Sequence, residues 1–225
     1  MPTANLAGQE ITTGRLASNK LEQLLSITNL NFDLYEGTVV DPADTRIIFL
    51  STDILRGIHT ALNYEAASAW RLILYRCGLL WGQRTCRTLS KQSQMGLGSK
   101  FDLVSVDDFI THLQAFLNFN GWGVIKFYLD DAVSHGLIRA ELQHSIFPDA
   151  LPESRERVDF MVSGMLAGLL GELARAELAS IEISSPLTGA EASVFLISAK
   201  ARIEALEPMV ESGASPDEIL RRIRQ

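Results

Sequence analysis

The chain is predicted to be an α+β protein, an antiparallel sheet packed against helices on one face with a C-terminal helical extension. Two observations carry that prediction. Apolar residues recur at helical spacing within 52–62, 66–89, 105–119 and 158–176. Strand-like stretches come in neighbouring pairs, 122–129 with 136–146 and 178–184 with 192–198, each pair joined by a short polar or Pro/Gly-bearing connection.

Taken in order, residues 1–14 read as a polar, flexible tail closed by Thr12, Thr13 and Gly14. Leu16–Leu25 is a short helix, broken by the segment Asn29–Gly37. Thr38–Val40 and Arg46–Leu50 read as a strand pair turned by Asp41-Pro42-Ala43-Asp44. Ser51-Thr52-Asp53 starts a helix carrying Leu55, Ile58, His59 and Leu62. The longer helical pattern Ala66–Leu89 puts Trp70, Ile73, Leu74, Cys77, Leu80 and Trp81 on one stripe, with Gly78 and Gly82 beside it. Each glycine costs a soluble helix about 1 kcal/mol relative to alanine, so the pair is expected to admit another backbone or a ligand.

Gln92–Lys100, with Gly96 and Gly98, reads as a loop. Ser105 and Asp108 open a helix through Phe119, with Phe109, His112, Leu113, Phe116 and Leu117 on its apolar face. Two strands follow around Asp130-Asp131, then a loop over Pro148–Arg157 and a helix over Val158–Ala176 marked by Gly164, Gly168 and Gly171. The glycine spacing suits close packing of that helix. Beyond the last strand, Lys200–Ser212 and Pro216–Arg224 are helical patterns, the second started by Ser215, Pro216 and Glu218. The expected organisation is a tail over 1–14, a domain over 15–199 and an extension over 200–225.

Composition limits the function. With 225 residues and 47% hydrophobic content the chain can bury a substantial core. Its 27 acidic and 20 basic side chains give a formal charge of −7, which argues against nucleic-acid binding, since phosphate contacts need clustered Lys and Arg. The basic end Arg221-Arg222-Ile223-Arg224 reads as a solvated helix C-terminus. Cys77 and Cys86 lie on one helix, separated by roughly 13 Å of rise, too far for a disulfide. Both are expected as reduced thiols in the cytoplasm. The opening residues lack the apolar core of a signal peptide, and no run is long enough to span a bilayer. Peripheral association with a membrane stays open.

No nucleophile elbow, P-loop or dinucleotide fingerprint occurs, and His59, His112, His135 and His144 are scattered. No catalytic residue, no cofactor and no enzymatic activity are expected. The aromatic cluster Phe101, Phe109, Phe116, Phe119, Trp122, Phe127 and Tyr128 reads first as core.

Three stretches have a recognisable order: Val158-Asp159-Phe160-Met161-Val162-Ser163-Gly164-Met165-Leu166-Ala167-Gly168, then Ile181-Glu182-Ile183-Ser184-Ser185-Pro186-Leu187-Thr188-Gly189, then Ser193-Val194-Phe195. They resemble the 4-vinyl reductase-like domain family, which is related to the ligand-sensor domains of aromatic-effector activators and to TRAPP-type tethering subunits. The pair Gly78 and Gly82 and the run Gly121-Trp122-Gly123 extend the resemblance more weakly. In zinc-binding members the ligands are a Cys, a Glu 23 positions later, and Cys residues three and eleven positions after that Glu. Those positions hold Asp159, Glu182, Ser185 and Ser193 here, so the site is degenerate and no metal is expected.

The resemblance implies an apolar effector pocket between the central helices and the sheet, for which His112, Phe116, Phe119, Trp122 and Tyr128 are the candidate ligand-binding residues. It also implies a homodimer. Because the family is linked by name to chlorophyll synthesis and has free-standing cyanobacterial members, a tetrapyrrole or chlorophyll intermediate is the ligand it suggests, with a role in pigment handling or photosystem assembly beside a photosynthetic protein partner. The alternative is a homodimeric interaction scaffold or assembly factor without a ligand.

Overall fold

In chain order the elements are β1 (Asn31–Asp33), β2 (Thr38–Val40), α1 (Thr52–Ala66), α2 (Trp70–Leu97), α3 (Val106–Phe119), β3 (Val124–Tyr128), α4 (Ala132–His135), β4 (Ile138–Gln143), α5 (Ile146–Ala150), α6 (Phe160–Ala174), β5 (Leu178–Ser184), β6 (Ser193–Ala199), α7 (Lys200–Glu204), α8 (Glu207–Glu211) and α9 (Pro216–Ile223). They come from a computed structural model that describes residues 30–41, 44–97 and 106–225. The expected tail, the helix over Leu16–Leu25, the Pro42-Ala43 turn, Phe101 and the Ser105 cap lie outside those residues.

The described residues form two compact units, one ending at Phe49 and resuming over Thr88–Asn120, the other comprising Leu50–Arg87 and Gly121–Gln225. In the first, β2 pairs with β1 rather than with Arg46–Leu50 as the sequence suggested. The reason is local: the Asp33 carboxylate accepts hydrogen bonds from the Tyr35 and Glu36 amides at 2.9 Å, and Gly37 takes φ +64°, closing a turn between β1 and β2. Arg46 keeps a single bridge to Val40, and the Phe32 ring stacks on Phe49 at 6.4 Å. Helix α2 continues to Leu97, through the expected loop at Gln92, because that segment has no proline to stop it and one glycine costs only about 1 kcal/mol. On α3 the residues Phe109, Ile110, Leu113 and Leu117 are buried.

The second unit holds the main sheet, antiparallel throughout, in the order β3-β4-β6-β5. Residues along β5 alternate between its faces: Ser180 and Glu182 bond to groups around α6, while Ala179 and Ile183 enter an apolar core on the other side. That second core joins Leu137 and Leu196 to Ile203, Leu206, Val210, Ile219 and Ile223 of the C-terminal helices. The extension thus covers the sheet face that the sequence pattern left bare. Its first helical stretch divides into α7 and α8, because Pro208 lacks the N–H a continuous helix would need and clashes with the turn before it. The capping box of α9 forms as its sequence indicates, Ser215 and Glu218 each bonding the other's main-chain N–H. Arg224 is not free at its end but pairs with Asp131 at 2.6 Å.

Helix α6 is buried over every residue from Val162 to Leu170, as expected for a helix apolar all round. Glycines on both sides set its contact with α2. A Cβ placed on Gly78 would lie 1.9 Å from the Met161 carbonyl oxygen, and one on Gly164 would lie 1.9 Å from that of Tyr75. Gly82 and Gly168 repeat the arrangement one turn further along. Elsewhere Pro148 sits in the first turn of α5, where proline is tolerated, so part of the expected 148–157 loop is helical.

Candidate functional site

Asp159 occupies the N-cap of α6, yet its carboxylate caps nothing. Instead Oδ1 accepts a hydrogen bond from Ser145 Oγ and Oδ2 one from Ser193 Oγ, each at 2.5 Å, the short range of a charge-assisted O–H···O bond. Its main-chain N–H donates to Glu182 Oε2 at 3.2 Å. Asp159 is 0% exposed and Glu182 4%. A register irregularity between Glu182 and Ser184, where β5 pairs with β6, lies at this point in the strand. Three of the four degenerate zinc positions, Asp159, Glu182 and Ser193, are therefore linked by hydrogen bonds. The fourth, Ser185, is buried beside them. Its carbonyl closes the turn before Gly189, while its Oγ and Glu182 Oε1 make no hydrogen bond.

Burial pushes the Asp159 carboxyl up to about 6, against the lowering effect of the Ser145 and Ser193 bonds. Glu182 is raised well above the usual carboxylate range, first by burial and then by the charge of Asp159, which the Asp159 N–H and the dipoles of Ser185 and Ser193 offset in part. Neither carboxyl forms a salt bridge among the described residues. This donor set does not fit zinc. It has no thiolate or imidazole, a serine hydroxyl is a poor zinc ligand, and those of Ser145 and Ser193 are spent as donors to Asp159. Among the described residues no group of three or more His, Cys, Asp or Glu side chains gathers to hold an ion.

Glu182 also borders a groove of about 1270 Å³ that runs along β5, the edge strand, between α2 and α6 on one side and α7 and α8 on the other. Tyr75, Leu79 and Phe160 supply much of its apolar wall. The Tyr75 hydroxyl accepts the Ser180 amide at 3.3 Å, occupying one edge donor of β5, and Ser163 Oγ donates to Ser180 Oγ at 3.1 Å. Arg157 reaches into the groove and donates to the Val210 carbonyl at 3.0 Å. Burial lowers its affinity for the proton, and Glu182 is the chief charge restoring it. Sequence reasoning missed Ser145, Tyr75 and Arg157. Ser145 alone left a trace: a buried Asp requires hydrogen-bond donors, although not from a named position.

The five aromatic and imidazole candidates divide between the units. His112, Phe116 and Phe119 lie on α3 in the first, where Phe116 is half-buried and Phe119 is 38% exposed; the His112 side chain is outside the described part. Trp122 and Tyr128 belong to the second. Trp122 packs against Trp81 at 4.6 Å and Phe147 at 6.1 Å. Tyr128 donates its hydroxyl to Glu141 at 3.1 Å, which pushes the phenol up, and the Arg139 guanidinium lies 4.0 Å from its ring centre.

An antiparallel sheet holding a buried helix against it defines the class: an α+β protein. Among solved structures the chain is similar to the phenol-responsive sensory domain of the transcription activator PoxR with phenol, at 17% identity over 87% of this chain and 96% of that one, with a TM-score of 0.67. It is also similar to a vinyl-4-reductase family protein from Methanocaldococcus jannaschii (14% identity, 64% and 76% covered, TM-score 0.40) and to a trafficking protein particle complex subunit 3 from Naegleria fowleri covalently bound to palmitic acid (15%, 66% and 95%, 0.47). These are the three kinds of protein the sequence resemblance names. The first establishes the fold. No family model and no curated protein matches the chain.

Proposed function

We propose that the chain is a non-enzymatic module that binds a small hydrophobic ligand in the cytoplasm. The observation that carries this reading is the groove along β5, where Tyr75, Leu79 and Phe160 offer apolar and aromatic contact beside the buried polar groups Ser163, Ser180 and Glu182, within a lining that also carries charged side chains of both signs. Its fold, that of a domain which in PoxR responds to phenol, agrees with the reading. His112, Phe116 and Phe119 in the first unit, and separately Trp122 and Tyr128 in the second, are further candidate contacts. Native mass spectrometry of the protein from its own host tests the reading, and mass-resolved photo-crosslinking of any retained molecule assigns it to one of these sets. A chain that repeatedly emerges without an organic ligand sinks it.

A tetrapyrrole or chlorophyll intermediate is the finer candidate, which would place the protein in pigment handling or photosystem assembly. Titration with a chlorophyllide-type pigment that gives no saturable spectral change removes it.

The second reading, a homodimeric interaction scaffold, is favoured by exposed apolar side chains on adjacent helices of one unit: Ile54, Ile58 and Tyr64 on α1, and Leu72, Ile73 and Leu80 on α2. Among the described residues no helix is long and apolar enough to cross a membrane, so a lipid-spanning role does not account for them. Light scattering at micromolar concentration decides it, since a monomer would contradict the scaffold.

A further inference from the structure

We infer that α1 is a hinged arm, which exchanges between the folded-back position of this structure and one in which Ala67 turns helical and α1 and α2 become a single continuous helix. The break between the two helices is not encoded locally. The run Tyr64-Glu65-Ala66-Ala67-Ser68-Ala69-Trp70 contains neither glycine nor proline, and alanine is the strongest helix former. Yet the chain leaves the helix at Ala67, which takes φ 45° and ψ −134° before the single turn Ala67–Ala69 leads into α2. Those angles are close to the first central position of a type II′ turn, which glycine normally fills, and a residue with a Cβ is strained there. A helix-forming run held in a strained turn sets local preference against tertiary structure.

Little holds the arm back. Of the 15 described residues of α1 only Leu55 is buried. Arg56 Nε donates to the Ala150 carbonyl at 2.8 Å, and the His59 ring packs edge-on against Trp70 with ring centres 4.5 Å apart. The second contact carries a cost, because it leaves His59 Nε2 shut off from solvent with no hydrogen-bond partner among the described residues. An element with so few buried contacts belongs to the low end of local stability. Helix α2 starts on Trp70, which is 2% exposed, so α2 stays in place and α1 is the part that moves.

The straight state has a sequence pattern of its own. At 3.6 residues per turn, Ile54, Ile58, Leu62, Leu72, Ile73 and Leu80 fall within one sector roughly 100° wide on a helix continued through the break, interrupted by Glu65 and Arg76. All six except Leu62 are exposed in the folded-back state, where the break divides the stripe between two axes. The joint also lies beside both cavities. Arg56, His59, Thr60 and Asn63 form one wall of a cleft of about 560 Å³ against Leu151 and residues 153–156, and Ser68 and Arg71 line the β5 groove. Straightening opens the cleft and moves the groove wall, so an occupant that favours one state biases the arm.

The test measures the distance between spin labels at Gly57→Cys and Arg84→Cys in the full chain with Cys77→Ser, diluted in unlabelled chain so that only pairs within one molecule are read. Both label sites are exposed, and Cys86 is buried. A continuous helix sets sites 27 residues apart (84 − 57) at about 40 Å, and the folded-back arm gives a shorter distance. Both distances are expected. Ala67→Gly relieves the turn and weakens the helix, and should reduce the long-distance population about 10-fold; Ala67→Val makes a positive φ costlier and should raise it by a similar factor. Ala67 is exposed, so neither change disturbs a packed core. As a second readout, the His59 ring protons should leave the ring-current field of Trp70 in step with the long distance, since a straight helix separates the two positions by roughly 16 Å. A single short distance that neither variant changes would overturn the inference. So would a long distance equally abundant in Ala67→Gly and Ala67→Val, or a His59 shift that does not follow the distance.

Discussion

Gly78 and Met161 are packed so closely that a methyl group on Gly78 would lie 1.9 Å from the Met161 carbonyl oxygen. The obstacle is backbone, which no rotamer change can clear. Gly78→Ala and Gly164→Ala should therefore each cost about 3 kcal/mol or more, as overpacking against a rigid neighbour. Gly57 on α1 is the control, because nothing lies within 4 Å of its would-be Cβ. Gly57→Ala should raise stability by about 0.5–1 kcal/mol through helix propensity. Urea unfolding midpoints measure all three, and a neutral Gly78→Ala would show that α2 and α6 do not meet as described.

The buried carboxyls predict an unusual pH dependence. Asp159 titrates at an ordinary value of 3.8 when unfolded and about 6 when folded, so between these values the folded chain holds a proton that the unfolded chain has released. The stabilisation is complete below pH 4 and is lost as pH rises through 6. Glu182, raised further by burial and by Asp159, extends the loss to higher pH. Each group changes stability by up to about 1.4 kcal/mol per pH unit. Asp131 and Glu218, lowered chiefly by the Arg224 and Ser215 hydrogen bonds, act in the opposite sense at low pH, so the difference between wild type and Glu182→Gln is the informative quantity. Glu182→Gln should gain on the wild type as pH rises from 4 to 8. A constant difference would show that Glu182 titrates normally.

Where the sequence was readable, periodicity and local chemistry agreed. Ser215 and Glu218 stand three apart before an apolar pair, Ile219 and Ile223, and local capping rules suffice for α9. The spacing of Gly78 with Gly82 and of Gly164 with Gly168 announced a close approach, and the partner of each pair proved to be the other. The pairing of β2 was misread because Asn31 and Asp33 are poor strand formers, and only the turn they build selects them over Arg46–Leu50. The family resemblance pointed to the positions Asp159, Glu182, Ser185 and Ser193, but not to Ser145, which joins them only through tertiary structure. The groove has no local signature at all, because its walls come from Tyr75, Phe160 and Glu207, far apart in the chain.

The two cysteines should respond very differently to a thiol reagent. Cys77 is exposed, whereas Cys86 is buried and its thiol is pushed up to about 11, mainly by burial and further by the charge of Glu172. At pH 8 a disulfide reagent should consume one equivalent rapidly, at Cys77, and the second only as the chain unfolds. Mass mapping of the labelled peptide checks the assignment. Rapid reaction at both sites would mean that the Cys86 region of α2 opens readily, and an intramolecular Cys77–Cys86 disulfide would contradict an intact helix between them.

The degenerate corner can be tested by restoring it. By the sequence resemblance, Asp159, Ser185 and Ser193 stand at positions that zinc-binding members of that family fill with thiols, and Glu182 stands at the fourth position. Asp159 and Ser193 are hydrogen-bonded to one another, and Asp159 to Glu182, so these side chains already converge. The triple substitution Asp159→Cys, Ser185→Cys and Ser193→Cys, with Glu182 retained, provides three thiolates and a carboxylate, a donor set suited to tetrahedral zinc. It should bind one zinc per chain through chelator washing and show thiolate-to-metal absorption with cobalt. The parent chain should lose added zinc to the same chelator, because it offers no thiolate and the Ser145 and Ser193 hydroxyls serve as donors to Asp159. Zinc retained by the parent would show that two carboxyls and the surrounding hydroxyls suffice. A folded triple variant that takes up no metal would show that Ser185, whose Oγ bonds to nothing, points away from the shared centre.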